Sequence, residues 1–315
     1  MLQLDTSPMT KFAHPDITAK GEVRASVTFS GFKTLWFNTG TLCNITCPHC
    51  YIESSPTNDL LAYLTPEDMA PVLGDLASLQ SGTVEIGFTG GEPFLNPSIL
   101  TLIELALSAG HPALVLTNAM RPMMRPKVQA GLQALHRRFP GQMTLRVSLD
   151  HWSAALHDRE RGPGGFEETC TGIDWLVAQT IPIAIAGRTC WGESEAESRD
   201  GFARLIARRR WPINAADHGQ LVLFPEMDKR VDVPEITTAC WDILKLDPAG
   251  LMCASSRMVV KHRGQAGIDV RSCTLLPYEG GFSMGAKLVD TMGPVKLNHP
   301  HCAKFCVLGG GSCSA

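Results

Sequence analysis

The sequence predicts an α/β fold on a parallel sheet, and two observations carry that prediction. From about residue 33, short β-like runs alternate with amphipathic helical stretches. Alternation of this kind lays parallel strands under a cover of helices. Five successive runs also end in polar or glycine-rich residues, at the edge where such folds collect ligand-binding loops. Six strand–helix units suit a doubly wound sheet or a barrel, full or partial, and periodicity alone leaves that choice open.

The units follow in order. "TLWFN" is the first strand. The helix "TPEDMAPVLGDLASLQ" comes next, with Thr65 as N-cap, Pro66 at the first helical position and acidic residues in the first turn. "TVEIGF" is the second strand, and "PSILTLIELALSAG" is a helix stopped by Gly110. "PALVLTN" and "PKVQAGLQALHRRF" make the third unit, and "MTLRVSLD" with "GFEETCTGIDWLVAQT" the fourth. "IPIAIAGR" and "EAESRDGFARLIARRR" make the fifth, and "GQLVLF" with the helix-like "EITTACWDILKL" the sixth.

After about residue 247 the pattern changes. "DPAGLMCASSRMVVKHRGQAGIDVRSCTLLPY" reads as a hairpin or short strands with a cysteine near each end. The tail "HPHCAKFCVLGGGSCSA" is rich in cysteine and glycine. Three regions are therefore expected: an irregular segment at 1–32, an α/β core at 33–246, and a small appendage at 247–315. The last is too poor in apolar residues to fold alone and is expected to need a metal.

Composition narrows the function classes. Net charge is −3, which argues against a general nucleic-acid footprint, and the basic run Arg208–Arg210 reads as the solvated end of a helix. No apolar run reaches the length of a membrane span, and the N-terminus lacks the apolar core of a secretory signal. A cytoplasmic protein is expected. Its eleven cysteines are an odd count in a long chain, which suits metal binding or redox chemistry better than a disulfide framework.

Those cysteines are unevenly placed. Cys43, Cys47 and Cys50 fall in "LCNITCPHCYI" directly after the first strand, and six more lie between 240 and 313. Three thiolates in one short loop can wrap a cubane and leave one iron open. A structural zinc would need a fourth ligand, and His49 directly precedes Cys50, so both would rarely reach one ion. An iron–sulfur cluster, a zinc site and unliganded thiols all stay open, in that order. The second strand ends in "FTGGEP", where Gly90 and Gly91 permit close backbone approach, Glu92 supplies a carboxylate for an ammonium group, and Pro93 fixes the turn. Ser148 and Asp150 end the fourth strand two residues apart, facing one way, as a pair able to hold a ribose diol or cap the next helix. Asn118 and Arg188 end the third and fifth strands.

Together these residues resemble the radical S-adenosylmethionine (SAM) enzymes. The carriers are Cys43-x3-Cys47-x2-Cys50, the Gly90–Pro93 stretch, and "HDRERGPGGFEETCTGIDWL" with Arg161, Gly162 and Phe166, so the likeness runs from 33 to about 225. The resemblance implies a partial (β/α)6 TIM-like barrel, open at one side. It implies a 4Fe-4S cluster on the three thiolates, with SAM chelating the fourth iron through its amino and carboxylate groups. One electron from the reduced cluster then breaks a C–S bond, and a 5′-deoxyadenosyl radical takes hydrogen from a substrate. SAM contacts carry over to Gly90, Gly91, Glu92, Pro93, Ser148 and Asp150, and less directly to Asn118, Arg161 and Arg188. His49 stands where an aromatic residue beside the adenine is common. The resemblance further implies an electron donor such as flavodoxin or ferredoxin.

The tail resembles the family's twitch appendage, a relative of the longer SPASM domain, and implies a second 4Fe-4S cluster on Cys253, Cys273, Cys302 and Cys306. Cys313 is a spare ligand, and zinc is the rival occupant. Cys170 and Cys240 read as core thiols, and Cys190 as a thiol near the cavity edge. The substrate is expected to be a small molecule or a peptide. The short segment before the first strand favours the former, because peptide-modifying members often carry an added recognition domain. The competing reading is a non-catalytic iron–sulfur or zinc-binding scaffold on the same fold.

Overall fold

A computed structural model of the chain describes residues 10–225 and 231–312. Its elements in order are β1 (Ser26–Val27), β2 (Thr34–Asn38), α1 (Pro66–Ser78), β3 (Glu85–Thr89), α2 (Ile99–Ser108), β4 (Ala113–Thr117), α3 (Pro126–Arg138) and β5 (Met143–Ser148). Then come α4 (Ala154–Arg161), α5 (Gly165–Ala178), β6 (Ile183–Arg188), α6 (Glu195–Arg209), β7 (Leu221–Phe224), α7 (Cys240–Leu244), β8 (Ser256–Val260), β9 (Asp269–Arg271) and β10 (Val295–Lys296). Short helical turns fill the C-terminal part, and the last of them spans Cys302–Val307.

The main sheet runs β7-β6-β5-β4-β3-β2-β8-β9. Strands β2 to β7 are parallel neighbours in chain order, so all six expected strands take their expected places. Among the described residues β7 and β9 end the order and do not pair with each other, so the sheet stays open rather than closing into a full barrel. The hairpin of β8 and β9 adds an unexpected feature. β8 pairs parallel to β2, joining the cysteine-rich region to the edge of the main sheet.

Alternation along each strand sorts the two faces. Leu35, Phe37, Ile86, Phe88, Val115, Leu145, Val147 and Ile185 pack outward under the helices, against residues such as Leu76, Ile103, Leu132, Ile173 and Phe202. The intervening residues face inward, where Trp36, Leu114 and Met258 gather with Leu275 and Phe305 from the C-terminal region. Gly87 is required on that inner face, since a Cβ there would come within 2.4 Å of the Trp36 ring. The open side is spanned by an aromatic contact: Phe224 of β7 stacks on Phe305, with ring centroids 5.8 Å apart.

α1 begins as expected, with the Thr65 N–H donating to the Asp68 carboxylate at 2.9 Å. Two elements differ from expectation. "EITTACWDILKL" is helical only over Cys240–Leu244, none of it buried. Only the partly buried Cys240 and Trp241 of it pack on the neighbouring apolar cluster, so the helix gains little from packing, and the Ile236 carbonyl accepts the Ala25 N–H at 2.9 Å. Conversely, α4 was not expected as a helix. Only His157 and Glu160 of it are buried, so it carries no apolar stripe to read. Residues 10–32 are mostly irregular, with β1 pairing antiparallel to β10. Among the described residues, no helix is long and apolar enough to cross a membrane.

Candidate active site

The site is assembled at the C-terminal edge of the parallel strands. Backbone hydrogen bonds clasp the exit of β2 to the exit of β3: Thr39 donates to Thr89, Gly91 to Gly40 and Glu92 to Leu42, at 2.8, 2.9 and 3.1 Å. The clasp explains the glycine pair. Gly90 has φ +136°, and a Cβ on Gly91 would lie 2.2 Å from the Leu42 carbonyl oxygen. The close approach expected of these glycines is thus first an approach to the backbone leading into Cys43.

Cys43, Cys47 and Cys50 line one cavity inside the open end of the sheet. Gly90 and Gly91 line it too, as do Asn118, Ser148, Asp150, Arg161 and Arg188, so most of the expected SAM-contact residues meet there. Glu92 and Pro93 do not line it. Pro93 is buried in a short helical turn. Glu92 is 2% exposed, and its carboxylate accepts from the Phe94 N–H at 3.1 Å, the Thr117 hydroxyl at 2.9 Å and the Asn118 N–H at 2.9 Å. Burial pushes this carboxyl upward in pKa, against the pull of those three donors. Glu92 therefore fastens β3 to β4, a role its sequence context does not announce.

The polar rim rests on α4. Arg161 grips Asp150 with two hydrogen bonds, Nε to Oδ2 at 2.7 Å and Nη2 to Oδ1 at 2.9 Å. Burial alone would raise the Asp150 carboxyl, but the Arg161 guanidinium holds it below the usual carboxylate range. The neighbouring Glu160 meets His49 Nδ1 at 2.9 Å and accepts from Arg188 at 3.2 Å. His49 lines the cavity as expected of a cofactor neighbour, with one ring nitrogen held by Glu160. Asn118 donates to Asn44 of the cysteine loop at 2.9 Å. Sequence reading missed Glu160 and Asn44: both lie inside the motif stretches but at positions that do not define them, and only tertiary contact shows their partners.

The C-terminal cysteines meet at a second cavity. Cys253, Cys273, Cys302 and Cys306 line it with Leu251, Phe282 and His301. Cys313 lies outside the described residues. Leu275 lines both cavities, and Phe305, which lines the first, sits in the chain between Cys302 and Cys306. Of the remaining thiols, Cys170 is fully buried in the core. Cys240 accepts the Thr237 N–H at 3.4 Å, and neither it nor Cys190 is among the residues lining these cavities.

Both thiol sets suit an iron–sulfur cluster in chemistry. Burial raises the Cys43 thiol to about 12 and also raises Cys47. In the second set it raises Cys253 to about 11 and Cys302 to about 12. Such thiols become thiolates when a cationic metal centre supplies the missing charge. Among the described residues, no three His, Cys, Asp or Glu side chains converge as ligands of a single ion.

Comparison with known proteins agrees. The sequence model described as "Radical SAM superfamily" matches residues 37–197. The AdoMet-dependent heme synthase of Methanosarcina barkeri is 30% identical over 145 residues, which is 45% of this chain and 38% of that protein. AlbA, the antilisterial bacteriocin subtilosin biosynthesis protein of Bacillus subtilis, is also 30% identical over 145 residues, covering 46% of this chain and 30% of its own. The mycofactocin maturase MftC of Mycobacterium tuberculosis is 29% identical over 171 residues, covering 53% and 39%. The match thus spans about a third of the length of these curated relatives. Streptococcus suis SuiB bound to S-adenosylmethionine superposes with a TM-score of 0.58 at 10% identity, covering 81% of this chain and 63% of that one. AnSMEcpe with bound AdoMet gives 0.60 at 12% identity, covering 82% and 79%. At such identities the two structures speak for the fold alone. With the family's sequence model matching over half of its length, the chain belongs to the radical SAM superfamily.

Proposed function

We propose that this protein is a radical SAM enzyme that abstracts hydrogen from a small-molecule or peptide substrate. The observation that carries the reading is the meeting of Cys43, Cys47 and Cys50 with the polar strand ends at one cavity. The three thiolates would hold a 4Fe-4S cluster. Gly90, Gly91, Asn118, Ser148, Asp150, Arg161 and Arg188 would hold SAM. When bound, cluster and SAM supply one-electron reductive cleavage of the sulfonium and hydrogen abstraction.

The chain's own residues prepare that chemistry. The β2–β3 clasp sets the cysteine loop at one height above the sheet. Arg161 and Asp150 neutralise each other, as do Arg188 and Glu160, so the rim offers oriented hydrogen-bonding groups without a large net charge. Leu116, Phe224 and Leu275 give the cavity an apolar lining, which would keep water from the reacting centre.

A second 4Fe-4S cluster is proposed on Cys253, Cys273, Cys302 and Cys306, in an appendage beginning near residue 247. That Cys253, Cys273, Cys302 and Cys306 all line one apolar cavity supports it. An outside electron donor, of the flavodoxin or ferredoxin class, would reduce the first cluster. A cluster with an open iron and buried reduced thiols suits a cytoplasmic setting.

The test is anaerobic reconstitution with iron and sulfide, followed by dithionite and SAM. 5′-Deoxyadenosine is expected from the unaltered protein and none from a Cys47→Ala variant. An intact cluster that yields no 5′-deoxyadenosine would favour the non-catalytic scaffold, and zinc without labile sulfide would remove the iron–sulfur reading.

A further inference from the structure

The first cavity has two unlike walls. On one side every charged group already has a partner. Both Asp150 oxygens take Arg161, and Glu160 takes His49 and Arg188. A charged group entering from solvent would have to break one of these pairs or lie desolvated beside them, and either is costly. Among the described residues, the other wall carries no charge. Leu116 of β4, Ala186 of β6 and Phe224 of β7 form it, together with Leu275 and Phe305.

The apolar wall is ordered by the fold. Leu116 and Ala186 lie two residues before the polar strand ends Asn118 and Arg188, so strand alternation turns them inward, one step deeper in the lumen. Phe224 and Phe305 stack with an interplanar angle of 30°, and Phe305 is 1% exposed. Ala186 is the smallest member and leaves room in front of its neighbours. Leu275 and Phe305 also separate this cavity from the second set of cysteines.

We propose that this wall is the substrate subsite and that it receives an uncharged aromatic or branched aliphatic group. The assignment rests on the SAM-dependent reading above, because it gives the polar wall to SAM and leaves the apolar wall to the substrate. It deepens that reading by fixing the chemistry of the group brought to the reacting centre. Among the described residues, the pairing on the polar wall and the lack of a charged partner on the apolar one both disfavour a charged side chain there.

The experiment uses the anaerobically reconstituted protein and equilibrium dialysis. The probes are p-cresol, as an aromatic side-chain analogue, and propylguanidinium, as a charged one of similar reach. SAM binding is measured in the same samples. The subsite predicts that p-cresol binds at least about tenfold more tightly than propylguanidinium. Ala186→Leu, which fills the space, and Phe305→Ser, which makes the wall polar without filling it, should each weaken p-cresol about tenfold or more. Both should keep SAM affinity within about twofold, which shows that they remain folded. The proposal is overturned if propylguanidinium binds as well as p-cresol, if neither probe binds while SAM does, or if both variants hold p-cresol unchanged. Failure of the unaltered protein to bind SAM would instead strike the SAM reading, and the subsite with it.

Discussion

At the scale of single residues, His157 shows how the rim constrains the molecule's response to pH. It is fully buried on α4, and its Nδ1 accepts the Asp150 N–H at 3.2 Å. Burial, and then the nearby Arg161 charge, lower its pKa to about 4. In the unfolded chain a histidine titrates near 6.5. Between those values the unfolded state binds the proton and the folded state does not, so stability falls as pH drops through the window. The accumulated loss by pH 4 is about 3 kcal/mol from this one group. The urea midpoint should therefore decline between pH 6.5 and 4.5. A His157→Asn variant, which keeps an acceptor for the Asp150 N–H, should decline less steeply. Parallel slopes in the two proteins would assign the acid sensitivity elsewhere. The same scale separates what motif reading finds from what it misses. Three cysteines in a loop announce metal chemistry by type alone. Glu92 has a carboxylate's chemistry in sequence and a fastening role in structure, because its partners Phe94, Thr117 and Asn118 are set by tertiary contact.

At the scale of elements, the β2–β3 clasp is the part on which the cysteine loop depends most directly. A methyl group on Gly91 would meet the Leu42 carbonyl, and beside it the Thr41 carbonyl at 2.7 Å. Backbone cannot swing aside as a flexible side chain can, so Gly91→Ala must move the loop or the strand exit. The expected result is a folded protein that reconstitutes with much less iron. Stability should drop by about 1–3 kcal/mol, the usual cost of overpacking. Iron analysis alongside thermal unfolding checks it, and normal iron content would mean that the clasp tolerates a shift. The elements were legible in sequence wherever burial imposed a pattern. β2 to β6 are nearly continuous apolar runs because both faces are covered. α4 was not legible, since a helix that buries a histidine and a glutamate leaves no apolar period, yet it supplies Glu160 and Arg161 to the rim. α7 was over-read for the opposite reason: Ile243 and Leu244, 74% and 40% exposed, sit at helical spacing outside the small contact that Cys240 and Trp241 make with the apolar cluster.

At the scale of the whole molecule, the two cysteine sets are joined by one long-range pairing that local pattern cannot reveal. β8 lies parallel to β2, more than two hundred residues away in the chain, and holds Cys253 just before it and Cys273 just after β9. Arg257 of β8 is completely buried and donates to the carbonyls of Cys253 at 2.7 Å, Thr291 at 2.8 Å and Gly293 at 3.1 Å. It ties the hairpin to the segment leading toward Cys302. The second thiol set therefore belongs to the same packed body as the first, yet Leu275 and Phe305 keep the two cavities apart. If each set holds its own cluster, losing one should leave the other. Cys302→Ser removes a thiol from the second cavity and touches none that lines the first. Iron content after reconstitution should fall from about eight to about four atoms per chain, each cluster carrying four irons. SAM binding should persist, because Cys43, Cys47 and Cys50 are untouched. Iron and sulfide analysis, read with the spectrum of the reduced protein, decides the matter. A variant that keeps its full iron shows that Cys302 is no ligand. A variant that loses all its iron shows that the first loop cannot be formed without the second centre, so that the hairpin's pairing with β2 depends on metal.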